Sequence, residues 1–251
     1  MRIRRLVISA LCLLLVACGA EVTPTAPHNT DVADFSVVFF GNSHTAVHNV
    51  PAMVGALLQA ANAGKTVETV ASPDWMLLNA RGAHAPSLAM LASRRWTHVV
   101  WQAQDYSSSG RFIYPTTGAE KLVRLSREQG AKPILFAEWP RRGVDESARI
   151  YETYASIARV QPACLPPIPQ AFDLAQARHP DLALHDVDGN HSTPAAAFLA
   201  AVLLFAAIDT TPVDTLPTLP SIAVDADTQR LLRLVARDAA KTISPRNFCG
   251  G

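Results

Sequence analysis

The sequence has no strong excess of either charge. Its 22 Lys and Arg residues and 21 Asp and Glu residues give a formal net charge of +1 at pH 7. Removal of residues 1–17, which include three arginines and no acid, would leave 19 basic and 21 acidic residues, a balance of about −2. This balance gives no reason to expect a nucleic acid as a partner.

Metal-binding motifs are also missing. The chain contains neither a Cys-x-x-Cys pair nor an H-E-x-x-H frame, the spacings that commonly bind zinc. His44 and His48, four positions apart at the start of a predicted helix, could share a metal with His84, but we favour histidines of the surface or of a cleft. We therefore expect neither a metal nor an organic cofactor.

The N-terminus lacks an apolar run long enough to span a bilayer comfortably. Three arginines at positions 2, 4 and 5 precede an apolar run at residues 6–16. A short basic segment followed by such a run is typical of a secretory signal that is removed from the mature protein. We therefore predict that residues 1–17 are a signal peptide.

The predicted signal leads into Leu-Val-Ala-Cys at residues 15–18, which resembles the bacterial lipobox. The resemblance implies that Cys18 is diacylated, becomes the first residue of the mature protein and anchors it to a membrane. Gly19 fits the outer membrane, and the polar residues 20–34 complete a flexible linker over 18–34. The alternative is an ordinary signal peptide with a buried cysteine. We expect a lipid-anchored protein of the cell envelope, on its periplasmic or surface face.

Cysteine is scarce, with four in 251 residues. Cys12 lies in the predicted signal and Cys18 in the lipobox, which leaves Cys164 and Cys249. Outside the cytoplasm this pair can form a disulfide that ties down the C-terminal tail. Both cysteines can equally stay as buried free thiols, and the sequence does not choose between the two states.

Strand-like and helix-like segments alternate along residues 35–251, which we interpret as one globular domain. The run FSVVFF is continuously apolar, as in a strand that is buried on both faces. Strands are predicted at 35–40, 66–71, 97–102, 132–137 and 181–184, and helices at 50–63, 87–93, 118–129, 145–160, 170–178, 194–208 and 225–241. This alternation predicts an α/β fold, a three-layer flavodoxin-like parallel sheet with helices on both faces and strand order 2-1-3-4-5.

The first predicted strand runs into Gly41-Asn42-Ser43. In such sheets ligands bind at the carboxyl ends of the strands, where the strand order reverses. A serine on this turn can present its hydroxyl beside free backbone N–H groups, which suits a nucleophile. Ser43 or Thr45 could instead simply cap the following helix.

Asp188 and His191 lie in one loop between the last predicted strand and the long helix at 194–208. A serine nucleophile needs an imidazole to take its proton and a carboxylate to orient that imidazole. The D-x-x-H spacing is by itself also common in surface turns with a capping aspartate. Because this loop is expected at the same sheet edge as Ser43, the three residues can form a triad.

Together these segments resemble the SGNH hydrolase superfamily, in the branch whose first block reads G-N-S. VVFFGNSHT resembles the first block, VVWQAQ the third, LFAEWPRR the fourth strand with its loop, and the segment around DVDGNH the last block. The resemblance implies the SGNH hydrolase fold, with Ser43 as nucleophile and Asp188 and His191 completing the triad. It also implies that the N–H of Ser43 and the amide of Gln102 bind the oxyanion.

The second block departs from this pattern. The family has a glycine whose backbone N–H joins the oxyanion hole, and Asp74 occupies the aligned position here. A carboxylate near a developing oxyanion is unfavourable unless it points away. Either Asp74 faces solvent, or Gly82 supplies the N–H in a shifted register, or activity is low or lost.

Three tryptophans and one glutamate lie near predicted strand ends. Trp101 is expected in the core, whereas Trp75 and Trp139 could wall a cleft and stack on a sugar. Glu138 either orients a neighbour or caps a helix.

These expectations combine into a serine ester hydrolase that works through an acyl-enzyme. The resemblance implies carboxylic-ester substrates, and the expected location suggests an acetylated glycan. Two other functions stay open: a surface lipoprotein that binds a ligand on an inactive scaffold, which Asp74 favours, and an O-acetyltransferase with the same triad. We expect a monomer whose partners are a small-molecule or glycan ester and, through Cys18, the membrane.

Overall fold

Four strands form one parallel sheet in the computed structural model, which describes residues 33–250. The strands are β1 (Phe35–Phe40), β2 (Val67–Ala71), β3 (His98–Gln102) and β4 (Lys132–Phe136). Their order is β2-β1-β3-β4, and neighbouring strands are parallel. The predicted parallel α/β sheet is confirmed. The predicted signal peptide, Cys18 and linker residues 18–32 lie outside the described residues.

The two central strands are covered on both faces, which explains their continuously apolar sequences. Every residue of β3 is buried, and so is every residue of β1 after Phe35. Alternate side chains of β1 point to opposite faces. Val37 and Phe39 pack into one core cluster, whereas Val38 and Phe40 pack into the other.

Helices cover both faces of the sheet. They are α1 (Ser43–Ala46), α2 (Val50–Ala61), α3 (Leu78–Arg81), α4 (Ala85–Ala92), α5 (Thr117–Glu128), α6 (Ser147–Val160), α7 (Ile168–Arg178), α8 (Pro194–Ile208) and α9 (Ala226–Thr242). Helices α2, α7, α8 and α9 contribute to one core cluster, and α3, α4, α5 and α6 contribute to the other. The predicted three-layer arrangement is therefore confirmed, with the short helices α1 and α3 as additions.

The predicted fifth strand at 181–184 is wrong. This segment is too polar and exposed to lie inside a sheet, and only Leu184 in it is buried. Its backbone turns instead toward the chain ahead of α8, where the Leu184 carbonyl accepts the N–H of Thr193 at 3.1 Å. His185, the next residue, forms an isolated antiparallel bridge with Ser192.

Cys164 takes the place beside β4. Its N–H donates to the Pro133 carbonyl at 3.0 Å, and its carbonyl accepts the Leu135 N–H at 2.8 Å. The prolines at 166 and 167 have no N–H to donate, so the pairing ends after one residue. Cys164 also forms a disulfide with Cys249, which ties the C-terminal tail to this edge of the sheet.

Helix α8 is apolar on all sides because other elements surround it. Twelve of its 15 residues are buried, and it packs against α2 and α9. Thr193 caps its N-terminus by accepting the N–H of Ala196, which secures the loop that leads into the helix. Across residues 33–250, no helix has both the length and the apolar character needed to cross a membrane.

Candidate active site

Ser43 begins α1 just beyond the carboxyl end of β1. The cap of this helix is Asn42, whose side chain accepts the His44 N–H at 3.0 Å. The hydroxyl of Thr45 is directed into the core, where it donates to Gln102. Asn42 therefore has the capping role, and the Ser43 hydroxyl is not needed for it. We call residues 41–46 the serine turn.

The Ser43 hydroxyl faces a second segment, residues 186–192, which we call the histidine loop. It lies 2.9 Å from Nε2 of His191, and Nδ1 of the same ring lies 2.5 Å from the Asp188 carboxylate. Hydrogen bonds from His191 and from two backbone N–H groups hold the pKa of Asp188 well below its usual range. Because an ionised carboxylate only accepts, the ring proton lies on Nδ1 and Nε2 can accept the Ser43 proton.

Two histidines that follow Ser43 in the chain form hydrogen bonds to the backbone of the histidine loop. Nε2 of His44 lies 3.2 Å from the Asn190 carbonyl, and Nε2 of His48 lies 2.9 Å from the Ser192 carbonyl. Burial lowers the pKa of His44, which favours the neutral ring with one N–H to donate. His84 points elsewhere, to Ser87, and no cluster of three possible metal ligands occurs within residues 33–250.

Trp139 lies beneath the histidine loop. It is 2% exposed, stacks on Phe172 and donates its indole N–H to the Asn190 carbonyl at 2.9 Å. It therefore supports the loop, and a wall of an open cleft is the wrong interpretation of this residue. Trp75 is 60% exposed, whereas Trp101 is fully buried in the core as expected.

Gln102 supports the serine turn from below. Its side-chain oxygen accepts the Asn42 N–H at 2.9 Å and the Thr45 hydroxyl at 3.0 Å. Its Nε2 is buried and faces the Glu138 carboxyl, a contact that lowers the pKa of Glu138 against the larger effect of burial. A substrate oxygen cannot reach a nitrogen enclosed in this way, so the predicted role of Gln102 as oxyanion donor is wrong. The same packing explains Gly41, where a Cβ would lie 2.5 Å from the Gln102 oxygen.

A buried carboxyl group lies deeper under the same strand ends. Glu138 accepts the hydroxyl of Tyr154 at 2.5 Å, and that hydroxyl accepts the backbone N–H of Gln104 at 2.9 Å. Burial raises the pKa of Glu138 to about 7. Of the two roles left open for Glu138, the structure supports the orientation of a neighbour. The sequence offered no signal for Tyr154, which lies on α6.

Arg81 is the largest charged group that sequence reasoning missed. It is fully buried on α3 and donates to the carbonyl oxygens of Gly41 at 2.9 Å and Asp74 at 2.6 Å. The segment of Asp74 is thereby tied to the serine turn. A single charge in the stretch LLNARGA is the sequence signal that could have pointed to it.

Of the backbone N–H groups considered for the oxyanion hole, one already donates to a carbonyl and two do not. The Gly82 N–H donates to the Leu78 carbonyl at 3.1 Å, and a Cβ on Gly82 would lie 2.8 Å from the Gly118 backbone. Gly82 therefore serves the packing of α3 on α5, and the shifted-register alternative fails. For the N–H groups of Ser43 and Asp74, no acceptor is found in the described part of the chain.

Comparisons with known proteins extend this picture at the level of the fold. No family model matches the chain, and no curated protein matches it in sequence. A DUF4886 family protein from Bacteroides uniformis is similar in structure, with a TM-score of 0.62, 16% identity and coverage of 84% of this chain and 96% of that one. A "putative SGNH hydrolase" from Slackia heliotrinireducens gives a TM-score of 0.54 at 24% identity, with coverage of 68% and 97%.

A third similar structure is an alpha/beta hydrolase enzyme from the metagenome of Lake Arreo, with a TM-score of 0.50, 17% identity and coverage of 70% and 95%. At these identities the likeness concerns the fold. With its parallel sheet, its helices on both faces and these neighbours, the chain has the SGNH hydrolase fold.

Proposed function

We propose that the protein is a serine ester hydrolase. The observation that carries the proposal is the continuous chain from the Ser43 hydroxyl through His191 to the Asp188 carboxylate, with distances of 2.9 and 2.5 Å. Nucleophile, general base and orienting carboxylate are the three parts that acyl transfer requires. The similarity in fold to an alpha/beta hydrolase enzyme and to a protein described as an SGNH hydrolase supports this choice.

The mechanism has two steps. The Ser43 oxygen attacks the ester carbonyl while its proton moves to Nε2 of His191, and the ionised Asp188 stabilises the imidazolium that forms. The bond to the alcohol then breaks, and the alcohol leaves with that proton. In the second step, His191 takes a proton from water, the resulting hydroxide attacks the acyl group, and Ser43 regains its proton as the acid leaves.

Backbone N–H groups stabilise the oxyanion in this proposal. The N–H groups of Ser43 and Asp74 are free of acceptors in the described residues and belong to segments that lie beside each other. Fixed N–H donors aimed at a developing oxyanion typically contribute about 10²- to 10³-fold to kcat. Gln102 acts indirectly, by holding the backbone of the serine turn.

The cellular setting is part of the proposal. A signal over residues 1–17 and an acylated Cys18 would hold the enzyme in the cell envelope, on the periplasmic or surface face. The linker 18–34 would separate the domain from the membrane. Esters that occur there, such as acetylated glycans, are the substrates we propose for a monomeric enzyme.

The test is hydrolysis of p-nitrophenyl acetate and butyrate by the fragment 19–251 and its Ser43→Ala variant. We expect Ser43→Ala to lose at least about 10³-fold in kcat, and a fluorophosphonate probe to label the parent fragment only. Ser93→Ala, at the exposed end of α4, is the matched control and should label and turn over normally. Equal rates with and without the Ser43 hydroxyl would refute the proposal.

One competing function has an observation in its favour. Asp74 places a carboxylate where the resemblance has a glycine, and such a charge weakens oxyanion binding. A ligand-binding lipoprotein without catalysis would follow if that charge were uncompensated. Absence of fluorophosphonate labelling in the parent fragment would favour that function over hydrolysis.

A further inference from the structure

Arg81 is a buried charge that no carboxylate pairs with in the described residues. Its exposure is 0%, and its hydrogen bonds go to backbone carbonyls and serine hydroxyls. Burial lowers the pKa of Arg81 to about 10, so the guanidinium still carries its charge at neutral pH. A buried charge without a counterion is destabilising, which makes its position next to the site informative.

The guanidinium contacts both segments that carry the free N–H groups. One nitrogen, Nη2, donates to the carbonyls of Gly41 and Asp74. Because a peptide unit is planar and its N–H points away from its C=O, holding a carbonyl also sets the direction of the next N–H. Arg81 therefore orients the peptides that carry the N–H groups of Asn42 and Trp75. Each of these peptides is joined directly to one that carries a free N–H group, that of Ser43 or that of Asp74, so Arg81 restrains the backbone beside both groups.

The other terminal nitrogen of the Arg81 guanidinium contacts two serine hydroxyl groups. Nη1 donates to the hydroxyl of Ser87 at 2.7 Å and approaches that of Ser72 at 3.4 Å. Ser72 is in turn bonded through its N–H to the Phe39 carbonyl of β1 at 2.8 Å. A planar group with several fixed donors can hold three backbone segments in one register, which a lysine ammonium cannot do equally well.

We propose that Arg81 is a positioning residue for ester hydrolysis: it restrains the backbone next to the N–H groups of Ser43 and Asp74, and its charge offsets the Asp74 carboxylate. The inference rests on the proposed function. It explains how an aspartate can stand at the glycine position, since a nearby positive charge reduces the repulsion between a carboxylate and an oxyanion. The guanidinium lies beside Asp74, since it donates to the Asp74 carbonyl at 2.6 Å, and the Asp74 charge raises the pKa of Arg81 against the larger effect of burial.

The test compares steady-state hydrolysis of p-nitrophenyl acetate by the full-length protein in detergent with that of Arg81→Met. We expect kcat to fall about 100-fold, as for loss of one oxyanion-hole donor, while KM changes less than about threefold. Arg233→Met is the matched control, because Arg233 is also buried, on α9, away from the site. Its kcat should stay within about twofold of the parent, although both variants lower the unfolding temperature.

Asp74→Asn tests the compensation of charge. In the Arg81→Met background it should raise kcat at least about fivefold, and the factor by which it changes kcat should be at least about threefold larger there than in the parent. Arg81→Lys covers the case in which Arg81→Met does not fold. This variant keeps the charge but not the fork, so kcat should fall about tenfold and Asp74→Asn should not restore it.

The outcomes separate the inference from the function on which it rests. A parent protein without Ser43-dependent hydrolysis would refute the proposed function. An active parent in which Arg81→Met or Arg81→Lys behaves like Arg233→Met would refute only the positioning role. Equal effects of Asp74→Asn with and without Arg81 would refute the compensation of charge.

Discussion

The serine turn and the histidine loop meet at two hydrogen bonds, Ser43 to His191 and His44 to the Asn190 carbonyl, and their supports differ. The serine turn rests on buried side chains from distant parts of the chain, Gln102 and Arg81. The histidine loop contains a local turn, in which the Asp188 side chain accepts N–H groups two and three residues ahead. Trp139, His44 and His48 bond to backbone carbonyls of this loop. The side chains of Asp188 and His191 are 46% and 29% exposed. The serine turn therefore depends on buried side chains, whereas the reacting side chains of the histidine loop lie on a partly exposed local turn.

This difference predicts separable effects of mutation. Exposed side chains of a local turn contribute little to the free energy of unfolding, so changes in the histidine loop should affect kcat and leave stability nearly unchanged. Changes beneath the serine turn break buried hydrogen bonds and should lower stability as well. The predictions below test this separation.

Substitution of the general base should have the largest effect. We expect His191→Ala to lower kcat at least about 10³-fold, because His191 is the base that contacts the Ser43 hydroxyl in the described residues. The free energy of unfolding, measured by urea titration, should change by less than about 0.5 kcal/mol. Val187→Ala, 91% exposed in the same loop, is the control and should change neither quantity. A large loss of stability in His191→Ala would contradict the local character of this loop.

Asp188→Asn should follow with a loss of about 10²- to 10⁴-fold in kcat. Its side-chain oxygen can still accept the N–H groups of Asn190 and His191, so the loop should keep its conformation. The amide, however, no longer holds the ring proton on Nδ1. A pH–rate profile and a urea titration check both parts, and a loss below tenfold would show that the carboxylate is not needed for orientation.

The same contrast explains what the sequence could predict. Asp188 and His191 bond to each other and to neighbouring residues, so their spacing, the expected place of their loop at the sheet edge and the resemblance to the last block together predicted the arrangement. The support of the serine turn comes from residues about 40 and 60 positions away, which only the order of the strands brings together. Gln102 was therefore assigned to the wrong role and Arg81 was missed.

The sheet shows the same limit. Four strands were predicted, and three of them, β1, β3 and β4, are apolar runs whose burial on both faces leaves a clear pattern. The fifth position was misplaced at 181–184, since the pairing of Cys164 with β4 covers one residue and is followed by two prolines. Pairing that covers a single residue leaves no repeating pattern of apolar residues in the sequence.

Glu138→Gln tests how a buried carboxyl group near the site contributes to the free energy of unfolding. Because the pKa of Glu138 is raised to about 7 from an unfolded value near 4.5, the folded state holds the proton more tightly. Its contribution to stability is full below about pH 4.5 and is lost as the pH rises through about 7, by on the order of 3 kcal/mol. The glutamine variant cannot titrate and should flatten this part of the stability curve.

Urea unfolding of the parent and of Glu138→Gln at pH 5 and pH 8 measures this difference. Tyr154→Phe is the companion variant. It removes the hydroxyl that bonds to both Glu138 and the Gln104 N–H, and should lower stability by about 1–3 kcal/mol. The same pH dependence in Glu138→Gln as in the parent would assign the titration to another group.

The smallest effect is expected at His48, which follows the serine turn in the chain. His48 bonds to the Ser192 carbonyl of the histidine loop and has a left-handed backbone, with φ of 61°. Asparagine tolerates that conformation but has a shorter side chain, so His48→Asn should lose only the hydrogen bond. We expect a loss of about 1 kcal/mol in stability and of less than about fivefold in kcat, with His179→Asn at the end of α7 as control. A loss of kcat as large as in Asp188→Asn would mean that the histidine loop does not hold its own geometry.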